Sequence, residues 1–419
     1  MLSPVRKYGR AVALLAAVAL SVTACSDTEG GPDAGPGQSP SATPSTTGPT
    51  TPGATTTTTE PGGNSDPGAA KITVTPAAET KSVRPDQPVK VTAADGTINS
   101  VQLTDSDGDE VKGKLDDAKT TWTSEPALAP GTTYTVLTKA TGTDGRELTQ
   151  KSTFRTLTAA NRLKASMAPL NGETVGVGIP IQIYWNKPVK DKAAVEKRLS
   201  VKTSTPVEGG WYWLNSKTVH YRPKTYWPAG TKVAVDIGIQ GVNAGNNTWG
   251  AASRHIEFNI GRSVVASVNV PKHLMVVRID GKVARTIPIT AGKKGFTTRS
   301  GVKVIMEKYR VKRMDARTVG IQPGDPEYYD IHDVQYAQRV TSSGEFVHGA
   351  PWSTGSQGSA NVSHGCIGMS IADAAWYFAQ TKRGDVVNVT GTNRKMEMGN
   401  GWADWNLSWP EYQKGSALS

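Results

Sequence analysis

The chain is poor in cysteine. Two occur in 419 residues, Cys25 and Cys366, so no network of disulfides can brace it. No Cys-x-x-Cys or His-Glu-x-x-His run is present, which removes the usual sequence grounds for a metal centre. Lys and Arg outnumber Asp and Glu by 47 to 36, for a formal net charge of +11, yet no Arg-rich block stands out. The basic residues are scattered among Thr, Asp and Gly. This argues against a nucleic-acid partner and leaves a surface suited to anionic lipid headgroups or acidic wall polymers. Long apolar runs are also missing. The run from Ala11 to Leu20 is too short to span a membrane as a helix.

What is present begins with Arg6, Lys7 and Arg10, a positive segment ahead of that apolar run. The run leads to Val22-Thr23-Ala24-Cys25, which resembles a bacterial lipobox. The resemblance implies a signal peptide over 1–24, cleavage before Cys25, and a diacylglycerol on its thiol. Such a chain holds to a membrane because each buried CH₂ contributes about 0.8 kcal/mol. The protein is then expected outside the cytoplasm, lipid-anchored to the outer face of the cell membrane and acting in the cell wall. With Cys25 lipidated, Cys366 is a lone thiol in an exported chain. A disulfide between the two would tie the N-terminal segment to the far end. Residues 25–69 are Ser, Thr, Pro, Gly and Ala with almost no large apolar side chains, a composition expected to stay disordered and to act as a tether.

From 70 to 156 the pattern is period-two runs broken by turn residues. Lys71–Thr75, Val89–Thr92 and Thr133–Leu137 read as strands, with Asp95-Gly96 and Asp144-Gly145 as turns. An immunoglobulin-like sandwich is expected here and a second over 157–261, where Ile181–Trp185, Val233–Ile237 and His255–Ile260 alternate. Trp211, Trp213 and Trp227 read as packing residues. A third, β-rich domain is expected over 262–394. It contains a hairpin of Leu274–Ile279 and Lys282–Thr290 about Asp280-Gly281, with further strands at Val302–Glu307, Ile331–Val340 and Val386–Thr390. One helix starts at Ser370 with Asp373 as a capping partner and stops at Lys382-Arg383-Gly384. The fold class is therefore mainly β, with one or two helices in the third domain. The tail, 395–419, carries Trp402, Trp405 and Trp409, which are expected to pack back onto a domain.

Chemistry concentrates in Phe346-Val347-His348-Gly349-Ala350-Pro351-Trp352 and Asn361-Val362-Ser363-His364-Gly365-Cys366-Ile367-Gly368-Met369. A free thiol is only a few per cent thiolate at neutral pH, and an imidazole can take its proton. Either His348 or His364 could serve, and spacing alone does not choose. A His followed by Cys within Ser-His-Gly-Cys, flanked by Ala-Pro-Trp, resembles the signature of the L,D-transpeptidases, whose catalytic domain is called YkuD-like. Two immunoglobulin-like modules behind a lipobox resemble the actinobacterial members.

The resemblance implies Cys366 as nucleophile and His348 as acid and base, with the Gly349 carbonyl orienting the ring. It gives His364 a loop-shaping role and suggests backbone N–H groups around His364, Gly365 and Cys366 for the oxyanion. Gly349 and Gly368 depart from the Ser and Asn common in the family, which removes side-chain help at both places. Candidate substrate-groove residues are Ser343, Gly344, Trp352, Ser363 and Gly368, with Met314 and Tyr329 in a preceding lid-like segment. The implied reaction is cross-linking of peptidoglycan stem peptides between third-position residues, without a cofactor or metal, and with acylation by carbapenem-type β-lactams. Three readings compete with cross-linking by this site: an L,D-carboxypeptidase, a zinc site of His348, His364 and Cys366, and a sortase-like transpeptidase. A wall-binding lipoprotein without activity is the reading from outside enzymology.

Overall fold

Strand formation follows the period-two runs. The computed structural model describes residues 67–125 and 127–419. The expected signal peptide, Cys25 and nearly all of the 25–69 segment lie outside the described residues. The first unit packs a sheet of Lys71–Thr75, Lys90–Ala94, Thr121–Ser124 and Gly113–Leu115 against one of Gly96–Asp105, Thr133–Gly142 and Glu147–Arg155. Thr133–Gly142 shows the logic: Tyr134, Val136, Thr138 and Ala140 face inward while the residues between them stay partly wet. Val89, Val91, Leu103, Trp122 and Phe154 complete this core.

The second unit is also a sandwich. One sheet holds Gly209–Trp213, Thr218–Pro223, Ile181–Trp185 and Ala165–Ala168; the other holds Thr174–Val175, Arg254–Ile260, Lys232–Ile237 and Leu199–Thr203. Trp211, Trp213 and Trp227 are buried in its core, and the Trp227 indole donates to the Ile179 carbonyl at 2.7 Å.

The third unit sets a five-stranded sheet against a four-stranded one. The first runs Lys282–Pro288, Leu274–Ile279, Val264–Asn269, Val386–Thr390, Gly301–Val304; the second runs Glu307–Asp315, Asp330–Arg339, Phe346–Gly349, Ile367–Met369. Asp280 and Gly281 both take positive φ, 48° and 80°, as a tight type I′ hairpin requires. Ser370 caps the helix Ile371–Gln380 by accepting from the Asp373 N–H. The expected strand Val302–Glu307 is instead divided. The chain leaves the first sheet at Val304, and Glu307 opens a long strand of the second. Ile305 is fully buried at the crossing, so the apolar run Val304-Ile305 reflects a passage between sheets rather than one strand.

The tail folds back onto the second sandwich. Trp402 joins its core and the Trp405 indole donates to the Gly178 carbonyl at 2.7 Å. Asp404, buried, meets His220 at 2.9 Å. The Arg222 guanidinium lies against the rings of Trp405, Trp409 and Tyr412 at 4.8, 5.3 and 4.3 Å.

The second sandwich and third unit share apolar packing. Val304 and Val386 belong to the same buried cluster as Val175, Val177 and Ile179. Backbone bonds from Gly176 and Gly178 to Arg383 and Gly384, both 2.8 Å, stitch them together. The paired contacts of Arg383 with Glu173, at 2.9 and 2.8 Å, lock the edge. Glycine is required at 176, since a Cβ there would come within 2.2 Å of the Asp385 amide nitrogen.

Candidate active site

Two short strands bring the thiol and the imidazole to one place. Phe346–Gly349 pairs in parallel with Ile367–Met369, with His348 opposite Gly368. Side chains alternate along a strand, so counting back two residues from Gly368 puts Cys366 on the face that His348 occupies. Both line a cleft of about 360 Å³ with Met314, Tyr329, Ile331, Trp352, Ser363, His364 and Gly368 among its walls.

His348 is buried and its Nδ1 lies 2.8 Å from the Gly349 carbonyl. A carbonyl only accepts, so Nδ1 carries the proton and Nε2 is left as the basic nitrogen. Burial holds the imidazole below its ordinary value, against the Gly349 bond, which favours the charged ring. The exposed Trp352 ring stacks over this imidazole at 5.8 Å.

Cys366 keeps some contact with solvent, but protein surrounds most of it, and this desolvation pushes the thiol up to about 11. Hydrogen bonding by the Phe346 backbone opposes the shift, Glu345 adds to it, and Lys303 and Arg339 oppose it. The thiol's hydrogen bond goes to the Gly344 carbonyl at 3.8 Å, and among the described residues none joins it to the His348 ring. The resting pair is therefore a neutral thiol and a neutral imidazole.

The loop before Cys366 is pinned from within. Ser363 Oγ donates to the Cys366 carbonyl at 2.6 Å and accepts from the Gly365 N–H at 3.1 Å. That N–H, expected to serve an oxyanion, is engaged at rest. Gly365 sits at φ +119°, where a side chain would be strained. His364 turns away from the sulfur chemistry: its Nε2 meets Glu327 at 2.7 Å, and its ring packs edge-on against Phe296. Glu327 is also paired with Lys293 at 2.5 Å.

Among the groove candidates, Met314, Tyr329, Trp352, Ser363 and Gly368 line the cleft. Ser343 and Gly344 instead line a neighbouring cavity of about 220 Å³ that shares Met314 and Tyr329 with it. Burial pushes the Tyr329 hydroxyl up to about 12, so it acts as a neutral donor or acceptor. Among the described residues no group of three His, Cys, Asp or Glu side chains is placed to hold a metal.

Gly368 has a local cause. A Cβ there would lie 2.9 Å from Ala350 Cβ and 3.1 Å from Thr290 Cγ2, on the cleft floor. Gly368→Asn is expected to cost about 1–3 kcal/mol through overpacking, read as a lowered unfolding midpoint in denaturant. Gly349 is similar, since a Cβ would meet Ile371 Cδ1 at 2.7 Å.

Sequence reasoning missed a charged cluster beside Cys366. Lys303 is fully buried and paired with Glu345. Arg299 holds Glu345 at 3.0 Å and Glu397 at 2.6 Å. The one signal in the sequence was a glutamate directly preceding the apolar Phe346-Val347.

The chain's segments match known families in the order the fold suggests. Residues 80–243, spanning parts of both sandwiches, match a bacterial Ig domain. Residues 263–389 match the L,D-transpeptidase catalytic domain. The chain is 36% identical over 333 residues to L,D-transpeptidase 2 of Mycobacterium tuberculosis, covering 79% of this chain and 81% of that protein. The chain belongs to the L,D-transpeptidase family. L,D-transpeptidase 5 of the same species is 36% identical over 361 residues, covering 84% of this chain and 78% of that protein. Solved structures include an LD transpeptidase in complex with imipenem, 36% identical over 55% of this chain and 99% of its own, with a TM-score of 0.49. L,D-transpeptidase 3 of M. tuberculosis with a faropenem-derived adduct is 31% identical over 55% and 98%, with a TM-score of 0.46.

Proposed function

We propose that this L,D-transpeptidase joins peptidoglycan stem peptides by 3→3 cross-links through a thioester on Cys366. The observation that carries the reading is the shared cleft, in which a buried His348 fixed as the Nε2-basic tautomer lies on the same sheet face as the Cys366 thiol. Cys366 Sγ attacks the carbonyl of the third stem residue while its proton passes to His348. The C–N bond to the terminal D-Ala then breaks, and the imidazolium protonates the departing amine. An amine of a second stem attacks the thioester, gives its proton to His348, and releases the thiol. Water in place of that amine makes the same site an L,D-carboxypeptidase.

The mostly apolar walls, with Trp352 over His348, leave the peptide's backbone and aliphatic parts to be bound by shape. The imipenem and faropenem complexes of relatives support β-lactam acylation of Cys366. The Val22–Cys25 pattern supports a lipid anchor that places this cleft in the wall. The test is incubation with a disaccharide tetrapeptide, followed by mass spectrometry. The wild type is expected to form the dimer with loss of D-Ala, and Cys366→Ala to form none. Dimer from Cys366→Ala would end the reading.

A further inference from the structure

We propose that Lys303 is a positioning residue for this reaction: its buried ammonium neutralises Glu345, so that negative charge can develop on the adjacent Cys366 sulfur. The inference rests on Cys366 being the nucleophile.

Glu345 is where the geometry starts. It directly follows Gly344, whose carbonyl accepts the thiol, and directly precedes Phe346, whose backbone bonds the sulfur. A Cβ on Gly365, the residue before the nucleophile, would lie 3.8 Å from Glu345 Oε1. A buried carboxylate therefore sits beside a group that must become an anion, and two like charges in a poorly solvated site oppose each other. Glu345 is not free to move off. Its N–H donates to Thr341 Oγ1 at 2.8 Å, and Oε1 takes the Arg299 N–H and guanidinium at 3.2 and 3.0 Å. Arg299 divides its charge with the half-exposed Glu397. Lys303, with no solvent contact, donates to Glu345 Oε2; burial lowers its ammonium below the ordinary lysine value, and the Glu345 carboxylate is what works against that loss of charge.

The other ionisable groups near the sulfur do not replace it. Arg339 is engaged by Glu307 at 2.8 Å, His364 by Glu327 at 2.7 Å, and both His348 and Tyr329 are neutral at rest. A lysine kept fully buried and paired, rather than an apolar residue, has a reason in this arrangement: it cancels a charge at the reacting atom.

The experiment is alkylation of Cys366 by iodoacetamide, in which an S–C bond forms and iodide leaves, followed by intact mass across pH on the full chain. Lys303→Met is expected to slow alkylation at neutral pH by roughly tenfold or more, the effect of moving the thiolate midpoint up by about one pH unit. Glu345→Gln is expected to speed it, and adding Glu345→Gln to Lys303→Met is expected to recover most of the lost rate. A structural role alone would make the double variant at least as slow as Lys303→Met, and that result overturns the proposal. Should Lys303→Met fail to fold, Glu345→Gln alone decides, since unchanged or slower alkylation there has the same force. Failure of wild-type cross-linking would count against the transpeptidase reading without touching these rates.

Discussion

His348→Ala is expected to slow carbapenem acylation of Cys366 by about 10²–10⁴, the usual contribution of a positioned base. The reason is the resting protonation state. The thiol, pushed up to about 11, holds almost no thiolate at neutral pH, so the proton must leave during attack and something must receive it. In the mechanism proposed above, His348 receives it, since Gly349 fixes its Nδ1 proton and leaves Nε2 open. The imidazole is held below its ordinary value, so it stays neutral as the pH falls through 6.5, and the acid limb of the rate profile is expected below that point. An acid limb above pH 6.5 in wild type would contradict this assignment. Equal acylation rates for His348→Ala and wild type at neutral pH would remove the base altogether.

Arg222→Ala is expected to be the most damaging change outside the cleft, costing about 3–5 kcal/mol of stability, as for loss of a large core side chain. The guanidinium is almost wholly buried, faces three aromatic rings, and donates to the Leu407 carbonyl at 2.9 Å. Cations over desolvated rings are worth up to about 2 kcal/mol each, and removing this one leaves the tail without its anchor. Denaturant unfolding followed by tryptophan fluorescence reads the loss. An unchanged midpoint would show that the tail's other contacts, those of Trp402, Asp404 and Trp405 among them, hold it without Arg222.

Much of the fold was legible because half-buried strands write a period of two. Lys71–Thr75, Ile181–Trp185, Leu274–Ile279 and Val386–Thr390 occur where alternation and flanking turns placed them. Glu307–Asp315 was not legible. Its sequence is Glu-Lys-Tyr-Arg-Val-Lys-Arg-Met-Asp, and the strand is largely wet on both faces, so it lacks an apolar rhythm. At the site, the motif delivered Cys366, His348 and the orienting carbonyl of Gly349 to one place, because short-range spacing survives folding. It could not show that the Gly365 N–H is taken by Ser363, a matter of hydroxyl geometry. It also could not show Lys303 and Glu345 beside Cys366. Charged residues are ordinarily read as solvent-facing, and 42 positions separate these two in the chain.

The stitching between Gly176–Gly178 and Arg383-Gly384 bears on how the enzyme can be cut. A fragment beginning at residue 263 would bare Val304 and Val386 to water, strand the Arg383 guanidinium, and leave Trp402 and Trp405 with nothing to cover. The minimal soluble enzyme therefore starts ahead of Leu163 and runs through the last helix, so that the sandwich is part of the catalyst's own foundation and not a detachable stalk.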